Sequence, residues 1–173
     1  LSQSGDSPLE GEERHIAVLF CDIRGFTAVS EQLPPKEVVR LLNTYYSTMA
    51  EYIRKHNGFV NQIVGDEIFA TFGAPIQTQQ NEANAVACAW EMLGAIKDFN
   101  HGSEDRIDYS VTGDTVNTGK RIESLTADYP GHAFVGKSVY EVLKDRFEFE
   151  AMPPFQVKGK SQPLNVFDLK GRK

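Results

Sequence analysis

The sequence has little cysteine, no long apolar run and no excess of basic residues. Its two cysteines, Cys21 and Cys88, form no metal-ligand spacing, and we expect both to be buried free thiols in a reducing compartment. No stretch approaches the roughly 18 apolar residues of a membrane span. A formal net charge of −6 argues against a nucleic-acid groove, which needs a basic stripe. We therefore expect this chain to contact neither nucleic acid nor membrane.

The chain has 173 residues, a length that suits a single domain. Residues 1–14 are polar and acidic, and we expect a flexible tail there with no signal peptide. Residues 15–173 then form the domain, for which we expect a cytoplasmic location. The chain does not begin with methionine, so we expect a fragment of a longer protein, which other segments could anchor in a membrane.

Apolar runs of strand length and longer helical patterns share residues 15–173. The strands are predicted at His15–Asp22, Phe59–Val64, Glu67–Phe72, Ile107–Val111, Ala133–Val135, Phe147–Glu150, Phe155–Lys158 and Leu164–Leu169. Helices are predicted from Pro34 to Gly58, over Asn81–Phe99, over Asp114–Thr126 and, in short form, over Ser138–Lys144. In the first helix, Tyr45, Tyr46 and Met49 are predicted core residues. The order predicts an α+β fold, a ferredoxin-like split βαββαβ sandwich with C-terminal additions.

Two aspartates stand in distinctive phrases. Asp22 ends a strand in HIAVLFCDIRGFT, and Asp66 occupies a hairpin turn in FVNQIVGDEIFATFG. Hard cations such as Mg²⁺ take oxygen ligands and share them with substrate phosphates. Two such ions about 3.5–4 Å apart can activate one oxygen and stabilise another. Either phrase alone also fits an ordinary turn, but the pair predicts a site for two divalent cations and a triphosphate.

Three further phrases carry groups that suit phosphate. The main-chain N–H groups of residues 25–27 lie where a helix could start. Asn117 and Arg121 are four residues apart on a predicted helix, so both can donate from one face. Lys158 belongs to VKGK, where two lysines flank a glycine. Taken singly, the helix face fits a solvated polar surface and the VKGK phrase fits a solvated hairpin.

Together these phrases resemble the class III nucleotidyl cyclases, the family of adenylyl and guanylyl cyclase catalytic domains. DIRGFT, VGDEIFATFGAP, DYSVTGDTVN and FQVKGK occur in the family's order between His15 and Leu169. The resemblance implies a role for each group. Asp22, Asp66 and the Ile23 carbonyl would bind two Mg²⁺ or Mn²⁺ ions per site, the main chain of Gly25, Phe26 and Thr27 and the side chain of Lys158 would bind phosphates, and Asn117 and Arg121 would stabilise the transition state.

The resemblance also implies a reaction and an assembly. The ribose 3′-oxygen of ATP would attack the α-phosphate, giving 3′,5′-cyclic AMP and pyrophosphate in intracellular signal transduction. The protein would act as a head-to-tail homodimer with two active sites. Each site would combine the two carboxylates of one subunit with Ser110, Asn117 and Arg121 of the other.

The base of the nucleotide would be read by Gln62 and Ser110. Many adenylyl cyclases have lysine at the position of Gln62, whereas guanylyl cyclases tend to have glutamate. A glutamine amide can present either a donor or an acceptor, and adenine and guanine differ in that respect at their six-position. We favour ATP, and a guanylate or dual-specificity cyclase stays open.

The region after the second long helix is shorter than the resemblance implies. The family has a strand there with a phrase like Arg-x-Gly-Ile-His-x-Gly, and about two dozen residues, enough for one strand and its connections, are absent. Loss of one strand reverses the direction of Ile107–Val111 in the sheet and moves Asn117 and Arg121 to the wrong edge. We therefore expect a further segment between Asn100 and His101 in the natural polypeptide.

Two other classes of function stay open on the sequence alone. A genuine deletion after Asn100 would favour a catalytically inactive cyclase-like domain that binds a nucleotide or a partner. A polymerase-like or diguanylate-cyclase palm shares the use of two carboxylates. The helix with Asn117 and Arg121 and the VKGK phrase fit such a palm poorly.

Overall fold

The computed structural model describes residues 13–99, 107–112, 116–129, 131–156 and 162–173, with the main chain alone for 96–99 and 107–112. The strands are β1 (Ala17–Ile23), β2 (Gly58–Val64), β3 (Glu67–Phe72), β4 (Ile107–Thr112), β5 (Ala133–Gly136), β6 (Phe147–Ala151) and β7 (Val166–Arg172). The helices are α1 (Phe26–Gln32), α2 (Pro35–Lys55), α3 (Asn81–Phe99), α4 (Val116–Leu125) and α5 (Lys137–Leu143), and Thr126–Asp128 adds a 3₁₀ turn.

The seven strands form one sheet in the order β2-β3-β1-β4-β5-β7-β6. β1 is the third strand in this order and pairs antiparallel with β3 on one side and β4 on the other. β5 runs parallel to β4, and β7 runs antiparallel to both β5 and β6. The first four strands with α2 and α3 make the predicted split βαββαβ unit, which is thereby confirmed together with its C-terminal additions.

The main core lies between one face of this sheet and the helices α2 and α3. Because successive side chains of a strand point to opposite faces, Leu19 and Cys21 of β1 pack with Met49 and Ile53 of α2. Phe20 points to the other face and stacks on Phe69, with ring centroids 4.8 Å apart. A smaller cluster of Ile122, Phe134 and Val166 lies between α4 and the sheet. Asp22, two residues after Phe20, therefore leaves β1 on the α4 face.

Both cysteines are buried free thiols, as the sequence predicts. Burial raises the pKa of Cys21 to about 12, with a smaller opposite effect from the Tyr45 hydroxyl that donates to its sulfur. Burial likewise raises the pKa of Cys88, which lies beside Met92 in the core. Both side chains therefore remain protonated at neutral pH.

The end of α2 differs from the sequence-based expectation. Gly58 does not end the helix, because the left-handed conformation occurs one residue earlier, at Asn57, whose φ is 61°. Gly58 instead begins β2, where a Cβ would lie 2.7 Å from the ring of Phe72 and 2.8 Å from Ile53. The glycine thus permits close packing of β2 on the core.

Three more differences concern short elements. α1 extends over seven residues, where the sequence predicts a turn and a helix start at residues 25–27 but no helix length. Phe155 forms a bridge to Leu164, and β7 begins at Val166. The last two residues of the strand predicted at Phe155–Lys158 lie outside the described residues. Asp114 and Lys158 lie outside the described residues. Within the described ranges, no helix combines the length and the apolar character needed to cross a membrane.

Candidate active site

Asp22 lies at the end of β1, where the chain leaves the sheet for α1. The residue is half-buried, and its Oδ1 atom is shielded from solvent. The neighbours Cys21 and Ile23 are buried in the main core. The position of the Asp22 carboxylate is therefore fixed by a buried strand on both sides of it.

Asp66 is brought to the same place by the β2–β3 hairpin. Val64 pairs with Glu67, which leaves Gly65 and Asp66 as the two-residue turn. Gly65 has a φ of 61°, a conformation that favours glycine. Oδ2 of Asp66 accepts a hydrogen bond of 3.1 Å from the main-chain N–H of Ile23. The two predicted carboxylates are thus neighbours at the end of β1.

A tyrosine of α2 supports this turn. The hydroxyl of Tyr46 donates a hydrogen bond to the Gly65 carbonyl. Burial and, to a lesser degree, the charge of Asp66 raise the pKa of Tyr46, so the hydroxyl stays protonated and can donate. Tyr46 packs against the core as predicted, but its polar contact was missed. Its place beside the buried stripe of Tyr45, Met49 and Ile53 was the available signal.

The chain after Asp22 turns into a helix start. Gly25 is left-handed, with a φ of 71°, and α1 begins at Phe26. The N–H groups of the first turn of a helix have no intrahelical acceptor. Gly25 and Thr27 are exposed, so these main-chain donors stand next to Asp22 at the surface, in the arrangement that the sequence predicts for binding phosphate.

The two residues expected to read the base occupy different parts of the sheet. Gln62 is exposed on the edge strand β2, after a bulge that follows Val60. The main chain of Ser110 lies in the middle of the sheet, paired with Phe20 on one side and Phe134 on the other. Within one subunit these two positions are separated by β3 and β1.

Asn117 and Arg121 lie on α4, exposed and half-buried respectively. The strand before them runs antiparallel to β1, so that Ile107 pairs with Ile23 and Thr112 pairs with Val18. β4 therefore ends at the opposite end of the sheet from Asp22, and α4 begins there. One subunit does not gather Asn117 with the two carboxylates at a single edge.

A lysine of α4 nevertheless contacts the hairpin strand. Lys120 forms ion pairs with Glu67 and with Glu123, the latter at 2.9 Å. Its ammonium lies 5.8 Å from the centroid of the Phe20 ring, a cation–π distance. The sequence analysis missed this cluster, although the spacing of Lys120 and Glu123 on one helix face was a usable signal.

The groups at the end of β1 suit a divalent cation. Within the described residues, no group of three or more His, Cys, Asp or Glu side chains could hold a metal ion. Two carboxylates and a main-chain carbonyl form a smaller set of oxygens, which fits Mg²⁺ because that ion keeps waters and substrate phosphates as ligands. The Ile23 N–H orients Asp66 without neutralising it, so its charge remains available to a cation.

Comparison with known proteins decides the family. The model of the adenylate and guanylate cyclase catalytic domain matches residues 10–108 and 100–171. The chain belongs to this family. It is 27% identical to adenylate cyclase 1 of Rhizobium meliloti (strain 1021) and 30% identical to an adenylate cyclase of Anabaena cylindrica, with 91% of the chain covered in each case. These matches cover 28% and 37% of the relatives, so this cyclase-family chain spans about a third of their length.

Solved cyclase structures share the fold. The adenylyl cyclase CyaB from P. aeruginosa superposes with a TM-score of 0.87 at 25% identity, covering 95% of this chain and 98% of that one. The guanylyl cyclase Cya2 superposes with a TM-score of 0.86 at 31% identity, covering 95% and 96%. Relatives of both nucleotide specificities are therefore equally close in shape.

Proposed function

We propose that this domain is an adenylate cyclase, which converts ATP to 3′,5′-cyclic AMP and pyrophosphate with two Mg²⁺ or Mn²⁺ ions per site. The observation that carries the proposal is the hydrogen bond of 3.1 Å from the Ile23 N–H to Asp66. It brings the turn of the β2–β3 hairpin to Asp22 and to the start of α1. Carboxylates for cations and main-chain donors for phosphate then stand side by side.

Each group has a defined task in the proposed reaction. Asp22, Asp66 and the Ile23 carbonyl would hold the cations, which when bound lower the pKa of the ribose 3′-hydroxyl and offset charge at phosphorus. The first turn of α1 would donate to the β- and γ-phosphates. The new bond forms between the 3′-oxygen and the α-phosphorus, and the bond from the α-phosphorus to the α,β-bridging oxygen breaks. Its electron pair leaves on pyrophosphate, and the hydroxyl proton passes to solvent water.

Arg121 and Asn117 would act on the transition state. A guanidinium donates two parallel hydrogen bonds to phosphate oxygens, and charge grows on those oxygens as the bond to pyrophosphate breaks. A contact that strengthens as charge develops lowers the barrier, whereas one that is equally strong in the ground state does not. Lys158 is proposed to bind the terminal phosphates.

We also propose a head-to-tail homodimer with shared sites. In that dimer, Asp22 and Asp66 of one subunit would face Ser110, Asn117 and Arg121 of the other. The edge strand β2 exposes three apolar side chains, Phe59, Ile63 and Val64, beside Gln62. Covering these side chains with a partner would bury apolar surface next to the Asp66 turn.

The preference for ATP rests on the named relatives, because the amide of Gln62 can present either a donor or an acceptor to the base. The relatives from Rhizobium meliloti and Anabaena cylindrica are adenylate cyclases, whereas Cya2, at 31% identity, is a guanylyl cyclase. The test is a side-by-side assay of the purified protein with ATP or GTP, each with Mg²⁺ or Mn²⁺. Cyclic AMP as the main product supports the proposal, whereas formation of cyclic GMP alone makes the domain a guanylate cyclase.

A second candidate function is a cyclase-like domain that binds nucleotide without turnover. The direction of β4 favours it, because α4 then starts away from the edge that holds Asp22. Metal-dependent binding of ATP, with no cyclic nucleotide from a confirmed dimer in any arm of the assay, would establish this alternative and overturn the enzyme.

We propose that the natural polypeptide carries a further segment between Asn100 and His101, which would restore the direction of the Ser110 strand. The match to the family model supports such a segment, since it is broken into two stretches, 10–108 and 100–171, at this point of the chain. The alignments to the two adenylate cyclases run over 184 and 190 residues, more than the 173 residues of this chain, so each relative has residues without a counterpart here. An intact mass of 19.3 kDa for this stretch of the expressed protein would contradict the segment.

A further inference from the structure

Lys120 of α4 contacts both strands that lead to the candidate active site. Its ammonium forms an ion pair with Glu67, the first residue of β3. It also lies 5.8 Å from the centroid of the Phe20 ring on β1. Glu67 directly follows Asp66 in the chain, and Phe20 precedes Asp22 by two residues. One lysine therefore touches the chain close to each of the two predicted carboxylates, although the proposed reaction gives it no task.

The turn of the β2–β3 hairpin is held from both faces of the sheet. Successive side chains of a strand point to opposite faces, and Ile68 is buried in the main core, so Glu67 points to the α4 face. On the core face, the Tyr46 hydroxyl of α2 donates to the Gly65 carbonyl. On the α4 face, Lys120 donates to Glu67. These two contacts hold the residues immediately before and after the aspartate of the turn.

We propose that Lys120 is a positioning residue, which fixes the carboxylate of Asp66 for cation binding through its ion pair with Glu67. This inference rests on the cation site of the proposed function. A carboxylate in a hairpin turn moves with the turn, and it has to keep one position to share a cation with Asp22. Groups that orient a metal ligand change the affinity for the metal without touching it. Lys120 has this relation to Asp66, one residue removed along the chain.

A purely structural role for Lys120 would act through its other acceptor, Glu123, at 2.9 Å on the same helix. The Glu123 side chain is 9% exposed, and a buried carboxylate that loses its cation destabilises the fold. The Glu67 side chain is 25% exposed, so loss of that pair should cost little stability. The two acceptors therefore allow a stabilising contact and a positioning contact of the same lysine to be measured separately.

The sign of the effect distinguishes positioning from plain electrostatics. A lysine ammonium near a cation site repels the cation, so its removal by charge alone strengthens cation binding. If Lys120 positions Asp66, its removal weakens cation binding instead. We expect Lys120→Met to raise the dissociation constant of the cation about threefold to tenfold, less than the roughly 10–100-fold typical of partners of metal ligands, because the ion pair is partly exposed.

Cation binding can be measured without turnover. The intact chain is mixed with α,β-methylene ATP, in which a carbon bridge replaces the oxygen that would leave, and is titrated with Mn²⁺. Water proton relaxation reports the bound ion, because an ion that tumbles with the protein relaxes water faster. The binding that is lost in Asp66→Asn defines the site. Absence of such binding in the wild type would overturn the cation site and the role of Lys120 together.

Two further lysine variants serve as matched comparisons. Lys120→Arg keeps a cation for Glu67 and should bring the dissociation constant to within about twofold of the wild type. Lys144→Met removes a lysine of similar exposure that pairs at 2.7 Å with Glu141, again three residues away. Lys144 follows α5, on the far side of β1 and β4 from the hairpin, so this variant should bind Mn²⁺ normally. An equal loss in Lys144→Met, or unchanged or tighter binding in folded Lys120→Met, would overturn the positioning role and leave the cation site intact.

The route through Glu67 is tested with a double-mutant cycle. In Glu67→Gln the charged acceptor on β3 is gone, so the further change Lys120→Met should not weaken Mn²⁺ binding any more. An equal weakening in that background would mean that Lys120 acts independently of Glu67, and it would overturn the proposal. If Lys120→Met unfolds because Glu123 has lost its partner, Lys120→Met/Glu123→Gln removes the orphaned charge. That variant is compared with Glu123→Gln alone, and the same weakening is expected between the two.

Discussion

Asp66 and Asp168 are both partly or fully buried carboxylates, but the protein holds them in opposite ways. Asp66 lies in a turn, and the Ile23 main-chain N–H donates to its Oδ2 at 3.1 Å. Asp168 lies within a strand, and His132 and Lys170 bind its Oδ2 at 2.6 and 2.5 Å. A main-chain donor orients a carboxylate and leaves its charge in place, whereas a lysine neutralises it. The first arrangement suits a cation site, and the second stabilises the fold.

The largest effect should follow from breaking the cation site. Asp22→Ala removes a carboxylate that would be shared by both cations, and we expect turnover to fall at least about a hundredfold. Cyclic AMP formation with Mg²⁺ and with Mn²⁺ measures it. The thermal unfolding midpoint should stay close to that of the wild type, since Asp22 lies at a strand end. Near-normal turnover in this variant would remove Asp22 from the site.

Mixtures of two inactive variants distinguish a site within one subunit from a site shared between two. Arg121→Ala should lower kcat far more than it raises KM, because its contact is made in the transition state. Mixing this variant with Asp22→Ala should restore about one quarter of wild-type activity, since half of the dimers are mixed and each has one complete site. Steady-state assays of the mixture measure the recovery. No recovery, with heterodimers demonstrated by mass spectrometry, would contradict the shared-site arrangement.

Substitution of Asp168 should lower the stability of the fold and leave the activity unchanged. Asp168→Asn removes the buried charged acceptor of His132 and Lys170, while Lys170 keeps Glu150 at 2.9 Å. We expect a loss of about 1–2 kcal/mol in the free energy of unfolding, moderated because both partners are partly exposed. Urea denaturation measures the loss. Cyclic AMP formation should be unchanged below the transition. A variant of full stability would mean that the Asp168 cluster does not support the fold.

The smallest effect concerns the support of the Asp66 turn. Tyr46→Phe removes the hydrogen bond to the Gly65 carbonyl, typically worth about 0.5–1.5 kcal/mol, so the Mg²⁺ concentration for half-maximal activity should rise about threefold to tenfold. Metal titrations of cyclic AMP formation measure the change. Tyr52→Phe on the same helix is the control and should titrate like the wild type. If both variants behave alike, the hydroxyl of Tyr46 has no part in orienting the turn.

The sequence predicts the Asp66 region well because its determinants are local. A strand ending in Asp22 and a Gly-Asp turn between two strand-like runs both lie within a few residues of the groups they position. The contact of Tyr46 with Gly65 joins residues that are 19 apart, and it depends on how α2 packs. Periodicity places Tyr46 near the core but gives no direction for its hydroxyl.

The Asp168 region could not be predicted, because its contacts join residues that are far apart in the sequence. His132 and Asp168 are 36 residues apart, and an aspartate inside an apolar run gives no sign of its partner. The extent of the α1 helix was missed because FTAVSEQ is too short to display a helical period. Of the strand expected over Phe155–Lys158, the described residues show one bridge, from Phe155 to Leu164. Register across the sheet, which sequence patterns do not contain, decides which residues face Asp168 and Phe155.

The burial of both thiols has a practical consequence for labelling. Cys21 and Cys88 are each 0% exposed, and their raised pKa values keep the sulfurs in the unreactive thiol form. A single cysteine introduced on the surface would then react with maleimide or disulfide reagents against a silent background. Placed at Val64 on the exposed edge of β2, it would carry a spin label or a cross-linker to the face where a second copy is expected. The domain is therefore suited to distance measurements between subunits without prior removal of its own cysteines.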